Sequence, residues 1–113
     1  MTPEQFVNSL GHAVVDENAT IYRRLFEQAS AGTARDAYWI NAAAFYSGLT
    51  AEQKDVFFQV IRQVIVDTTS NVLGVLDGSS HIDGAPRIEL NIDGHRIRSD
   101  LQDMFLADQE RGA

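Results

Sequence analysis

The sequence predicts an α+β fold, predominantly helical, with three or four amphipathic helices, a C-terminal β-hairpin and a short final helix. Three observations carry that expectation. Apolar residues recur at three- and four-residue steps through most of the chain. Capping signatures open the segments that carry those steps. After Gly78 the period changes to strict alternation around an Asp-Gly dipeptide.

The first helix starts at Thr2 as N-cap, with Pro3 at the first helical position and Gln5 three residues after the cap. Phe6, Leu10, Ala13, Val14, Ile21, Leu25 and Ala29 keep one stripe in register. Gly11 and the polar run Asp16-Glu17-Asn18 weaken the middle, so the segment is either one long helix to about Ser30 or two pieces broken near Asp16. The long helix is favoured. Ala31-Gly32-Thr33 reads as its stop and turn, and Asp36 to Tyr46 as a second, partly aromatic helix ended by Ser47-Gly48-Leu49.

Thr50-Ala51-Glu52-Gln53 is a capping box opening the strongest element, from Ala51 to about Leu76. Val56, Phe57, Val60, Ile61, Val64, Ile65, Thr68, Val72, Val75 and Leu76 make its apolar stripe wider than one contact seam, which predicts a central helix. Thr68, Thr69, Ser70, Asn71 and Gly74 are small, so that half is expected to pack closely on another helix, with hydroxyls bonding back to the preceding turn. A pocket lined by these small polar groups is the alternative. Gly78 suits the left-handed position that ends the helix.

In the hairpin, Ile88, Leu90 and Ile92 alternate with Arg87, Glu89 and Asn91, and Asp93-Gly94 supplies a two-residue turn. The register that follows opposes Ile92 to His95, Asn91 to Arg96, Leu90 to Ile97 and Glu89 to Arg98. Pro86 suits the start of an edge strand. A two-stranded ribbon is marginal alone, so Ile88, Leu90, Ile92 and Ile97 are expected to bury against a helix or a partner. Ser99-Asp100-Leu101-Gln102 then opens a short helix whose face of Leu101, Met104 and Phe105 covers the ribbon.

Composition limits the function. At 113 residues, with no repeat or linker, the chain reads as a single domain spanning 1–113. No apolar run approaches the ~20 residues of a membrane helix, and the start lacks the basic region and apolar core of an export signal, so a cytoplasmic location is expected. The absence of cysteine excludes disulfides, thiolate metal sites and thiol nucleophiles. A formal charge of −7 repels phosphate backbones, which argues against nucleic acid and is compatible with a basic protein partner or with ordinary solubility. No phosphate loop, dinucleotide fingerprint, nucleophile elbow or zinc-helix motif is present, so no cofactor is expected and catalysis has no recognised signature.

The candidate site residues form two groups. Asp77, His81 and Asp83 share a loop with Gly78, Ser79, Ser80 and Gly84, where a metal ion, or His81 as a base beside a serine, is conceivable; the same residues also serve any helix-to-strand turn. Arg87, Arg96 and Arg98, with His95, concentrate positive charge on the ribbon, suiting carboxylates across a protein interface or a cross-strand pair with Glu89. His12 and Asp16 sit four apart on one helical face, as two metal ligands or a surface hydrogen bond. Tyr38, Trp39, Phe45 and Tyr46 are the aromatic concentration, expected mainly in the core.

The segment Val72-Leu73-Gly74-Val75-Leu76-Asp77-Gly78, the hairpin residues Ile88, Leu90 and Ile92, and Asp100-Leu101-Gln102-Asp103-Met104-Phe105 together resemble the C-terminal part of small uncharacterised bacterial proteins, some treated as immunity-like proteins of toxin systems. The resemblance is confined to the C-terminal third. It implies a helical body closed by a hairpin and a protein-binding role, and it supplies no catalytic residue. The expected function is thus a non-catalytic interaction domain that binds a protein partner or itself through an acidic helical surface or the hairpin edge. The alternative is a small metal-binding or hydrolytic protein using the Asp77–Asp83 loop.

Overall fold

A computed structural model describes residues 1–29 and 35–112, and among these residues it has five α-helices and one antiparallel hairpin. The order is α1 (Pro3–Leu10), a π-helical segment (Gly11–Asp16), α2 (Glu17–Gln28), α3 (Ala37–Ser47), α4 (Ala51–Asp77), β1 (Leu90–Ile92), β2 (His95–Ile97) and α5 (Leu101–Arg111). The fold is α+β and mainly helical, as its periodicities require. The expected turn at Ala31-Gly32-Thr33 and the helix end at Ser30 lie outside the described residues.

The first helix runs on through Asp16 without a break, but not as a uniform α-helix. Glu17 donates its backbone N–H to the carbonyl of His12, a five-residue step, so this turn is wound more widely. An α-helix advances a four-residue row by ~40° per step. The wider turn holds Val7, Gly11 and Val15, all buried, closer to one line facing α5 and α4.

Local signals set the remaining ends. Thr2 and Thr50 each form a complete capping box, Asp36 caps α3, and Gly78 ends α4 at φ +86°. At α5 the cap is Asp100, which accepts from the N–H of Asp103, not Ser99 as the four-residue motif suggests. The hairpin turns on Asp93 and Gly94, both at positive φ, with the expected pairs Leu90–Ile97, Asn91–Arg96 and Ile92–His95.

The ribbon is shorter than its alternation predicts. Extending the register would set Glu89 against Arg98, but there the chain already turns into the Asp100 cap. Glu89 instead pairs diagonally with Arg96 at 3.2 Å, and Ile88, with no strand opposite, is exposed.

Two apolar clusters hold the elements. One joins Val7, Val15, Val66, Leu73, Leu101 and Phe105, with Leu90 and Ile97 of the ribbon packed on it. The other stacks Phe26, Tyr46 and Phe58 with Trp39, Phe57 and Ile61, and Phe26 meets Trp39 and Phe57 edge-on at 5.1 and 4.9 Å. The chain is long and thin: 49 × 33 × 22 Å, with a radius of gyration of 17.5 Å where ~13 Å is usual for this length.

Candidate functional site

The loop after α4 is built around Asp77, and its carboxylate is committed to structure. Asp77 Oδ1 accepts from the Ser79 N–H at 2.8 Å and the Ser79 hydroxyl at 2.5 Å; Oδ2 accepts from the Gln102 N–H at 2.9 Å, in the first turn of α5. Asp77 therefore fastens the end of α4 to the start of α5, where a carboxylate is also favoured by the helix dipole. His81 and Asp83 are exposed. Among the described residues no three His, Cys, Asp or Glu side chains are grouped to hold a metal ion, so Asp77, His81 and Asp83 do not assemble one.

Burial alone would raise the Asp77 carboxyl; the hydrogen bonds from Ser79 and Gln102 outweigh it and hold the carboxyl below its ordinary value. The folded-state value being the lower one, this stabilisation is complete above the unfolded value near ~4 and is lost as pH falls through the folded one. Asp77→Asn is expected to lower stability by roughly 1–2 kcal/mol at pH 7. Its deficit relative to wild type should shrink below pH ~4, as read from urea titrations at several pH values. A deficit constant down to pH ~2 would contradict the anchoring role.

The small-residue half of α4 packs on a helix, as its residue sizes predict. Gln102 Nε2 donates to the buried Ser70 hydroxyl at 3.2 Å, and Thr69 Oγ1 donates back to the Ile65 carbonyl at 2.7 Å. A Cβ on Gly74 would stand 2.8 Å from Gln102 Oε1, so the glycine lets α5 sit close.

On the ribbon Arg96 is engaged by Glu89, while Arg87 and Arg98 are exposed on either side. His12 and Asp16 form the surface hydrogen bond, 2.8 Å from Nδ1 to Oδ2. Arg62 of α4 adds a contact that spacing could not show, donating to Asp16 Oδ1 at 2.7 Å. The Arg62 hydrogen bond is the main cause that holds Asp16 below its ordinary value. Asp16 and Arg62 border an open groove of about 610 Å³ between α2 and α4, lined also by Arg23, Asp55 and Gln59. Its charges of both signs and its width give it no single preferred ligand.

A third feature of the surface is apolar. Tyr46 is buried and Trp39 half-buried, as expected of core aromatics, but Tyr38, Ile40 and Phe45 of α3 are exposed. α3 carries no charged residue from Ala37 to Ser47. A helix apolar on all sides ordinarily lies in an interior, yet the outer side of this one faces water. On α4, Val56, Val60 and Val64 are each more than half exposed, forming an uncovered row at four-residue steps. Phe45 touches Phe57 at a ring separation of 5.9 Å. Phe57 lies beside Val56 and one turn from Val60, so the apolar surface is continuous from α3 to the valine row. Of the wide α4 stripe read from the sequence, Phe57, Ile61 and Ile65 pack partly buried on the core while Val56, Val60, Val64 and Val72 are exposed, and the buried face of α4 is instead Phe58, Val66, Ser70, Leu73 and Gly74. Hydropathy alone does not say which neighbour is present to cover the valine side.

No helix of the described residues is long and apolar enough to cross a membrane. No family model, curated protein or solved structure matches this chain.

Proposed function

We propose that this chain is a non-catalytic protein-interaction domain acting in the cytoplasm, and that its binding face is the outer side of α3 with the Val56–Val60–Val64 row of α4. The observation that carries this is the exposure of Tyr38 and Phe45, two turns apart on one flank of α3, and of the three valines, on a nearly charge-free surface joined through the Phe45–Phe57 contact. The largest contiguous apolar patch of a soluble protein, usually ~300–600 Å², is often its functional surface. Interface centres combine aromatic enrichment with depletion of charge, as here.

The hairpin edge is the weaker of the surfaces considered, since strands of three residues offer few free backbone groups to a partner. The cations Arg87 and Arg98 would contribute at the rim of a contact, not at its centre. An immunity-like role, in which such a face covers another protein, is the specific form that the C-terminal resemblance supports.

A photo-crosslinking amino acid at position 64, compared with one at position 103 on α5, tests the assignment in cells producing the protein. Protein adducts are expected at 64 and not at 103. Equal adduct yields at the two positions, or none at 64, would overturn it.

A further inference from the structure

We infer that the occupant of this face is a second copy of the chain, packed through an antiparallel crossing of α4 on α4 centred on Val60. The inference rests on the interaction role proposed above and adds the partner.

Three observations favour a second copy. The first is shape. Val56, Val60 and Val64 form one ridge of four-residue steps on α4. Such ridges interdigitate with their own kind at a crossing angle near about −50°, the commonest packing of two helices, so the ridge is complementary to itself. In an antiparallel crossing about a twofold axis at Val60, Val64 of one copy approaches Val56 of the other.

The second is charge. Each chain carries −7, so two copies meet favourably only where acids are absent. The segment Ala37–Ser47 has no charged residue, and between Val56 and Val64 the single one is Arg62, which is turned away to Asp16. A basic partner, the natural complement of an acidic chain, would find carboxylates only at the two ends of the row, Glu52 four residues before Val56 and Asp67 three residues after Val64.

The third is area. Tyr38, Phe45, Val56, Val60 and Val64 leave on the order of 400 Å² of apolar surface exposed, taking about 150–250 Å² for a whole aromatic side chain and less for valine. With a polar rim this approaches the ~800 Å² per partner of a standard interface. A second copy would also relieve the thinness of a chain only 22 Å deep.

Light scattering coupled to size exclusion, at about 100 µM to exceed the micromolar end of such affinities, is expected to give twice the 12.5 kDa chain mass. Val60→Glu, at a position already exposed in the single chain, is expected to keep its helical circular dichroism and fall to the chain mass. Mixing Val60→Glu with Val60→Lys is expected to restore the doubled mass, because residue 60 faces its own copy only in this crossing. Wild type at the single-chain mass overturns the inference, as does a Val60→Glu variant that stays double or a mixture that stays single. If wild type is single while position 64 still crosslinks to a different protein, the second copy is ruled out and the interaction role stands. If it neither doubles nor crosslinks, both fail.

Discussion

Phe105→Ala is expected to destabilise the protein by about 3–5 kcal/mol, the largest effect of any single substitution considered. Phe105 is fully buried in the cluster with Val7, Val15, Val66, Leu73 and Leu101, at the place where α5 lies against both α1 and α4. Removing the ring forfeits its burial and leaves a cavity that three helices border, and helices anchored elsewhere collapse only partly into such a space. Urea titration followed by circular dichroism reads the loss. A change below about 1 kcal/mol would mean that α5 is not the centre of the packing.

Gly74→Val is expected to cost about 2–3 kcal/mol, and the comparison with Gly74→Ala explains why. A Cβ at position 74 would stand 2.7 Å from Ser80 Oγ and 2.8 Å from Gln102 Oε1, both ends of side chains that can swing aside. Alanine gains about 1 kcal/mol of helix propensity over glycine. Displacing Gln102 also breaks its bond to the buried Ser70 hydroxyl, which costs roughly 1–3 kcal/mol. Alanine should therefore come out near neutral or mildly destabilising. Valine has less propensity to offer and drives two methyl groups into the same space. Denaturation midpoints of the two variants check the order. A valine variant as stable as wild type would show that α5 does not sit against α4 at Gln102.

Much of the fold was legible because its signals are local. Thr2, Thr50 and Gly78 act on groups within a few residues of themselves, and the Asp93-Gly94 turn carries its own register, so the paired residues follow from sequence alone. The misplacements have the same origin in reverse. Ile88 was expected to bury by alternation, but whether a strand opposes it depends on where the chain leaves for the Asp100 cap. Asp77 was singled out as a binding residue because Asp, Gly, Ser and His crowd its loop. Its actual partner, the Gln102 N–H, lies 25 residues away and gives no local sign. Arg62 reaches Asp16 across 46 residues for the same reason.

By itself, then, the sequence determined the kind and order of the elements, the caps that bound most of them, the pairing of the ribbon, and the absence of thiol chemistry. Only the tertiary structure decided that the deepest side chains are Leu101 and Phe105 of α5 with Val7 and Val15 of the first helix, that Asp77 serves as an anchor, and that the valine row of α4 remains open to water. Periodicity records which residues could turn inward together, because it reflects the geometry of one backbone. Which of them do so is set by the arrival of distant segments, and on α4 Ile61 and Ile65 found such neighbours while Val60 and Val64, with the same chemistry, did not.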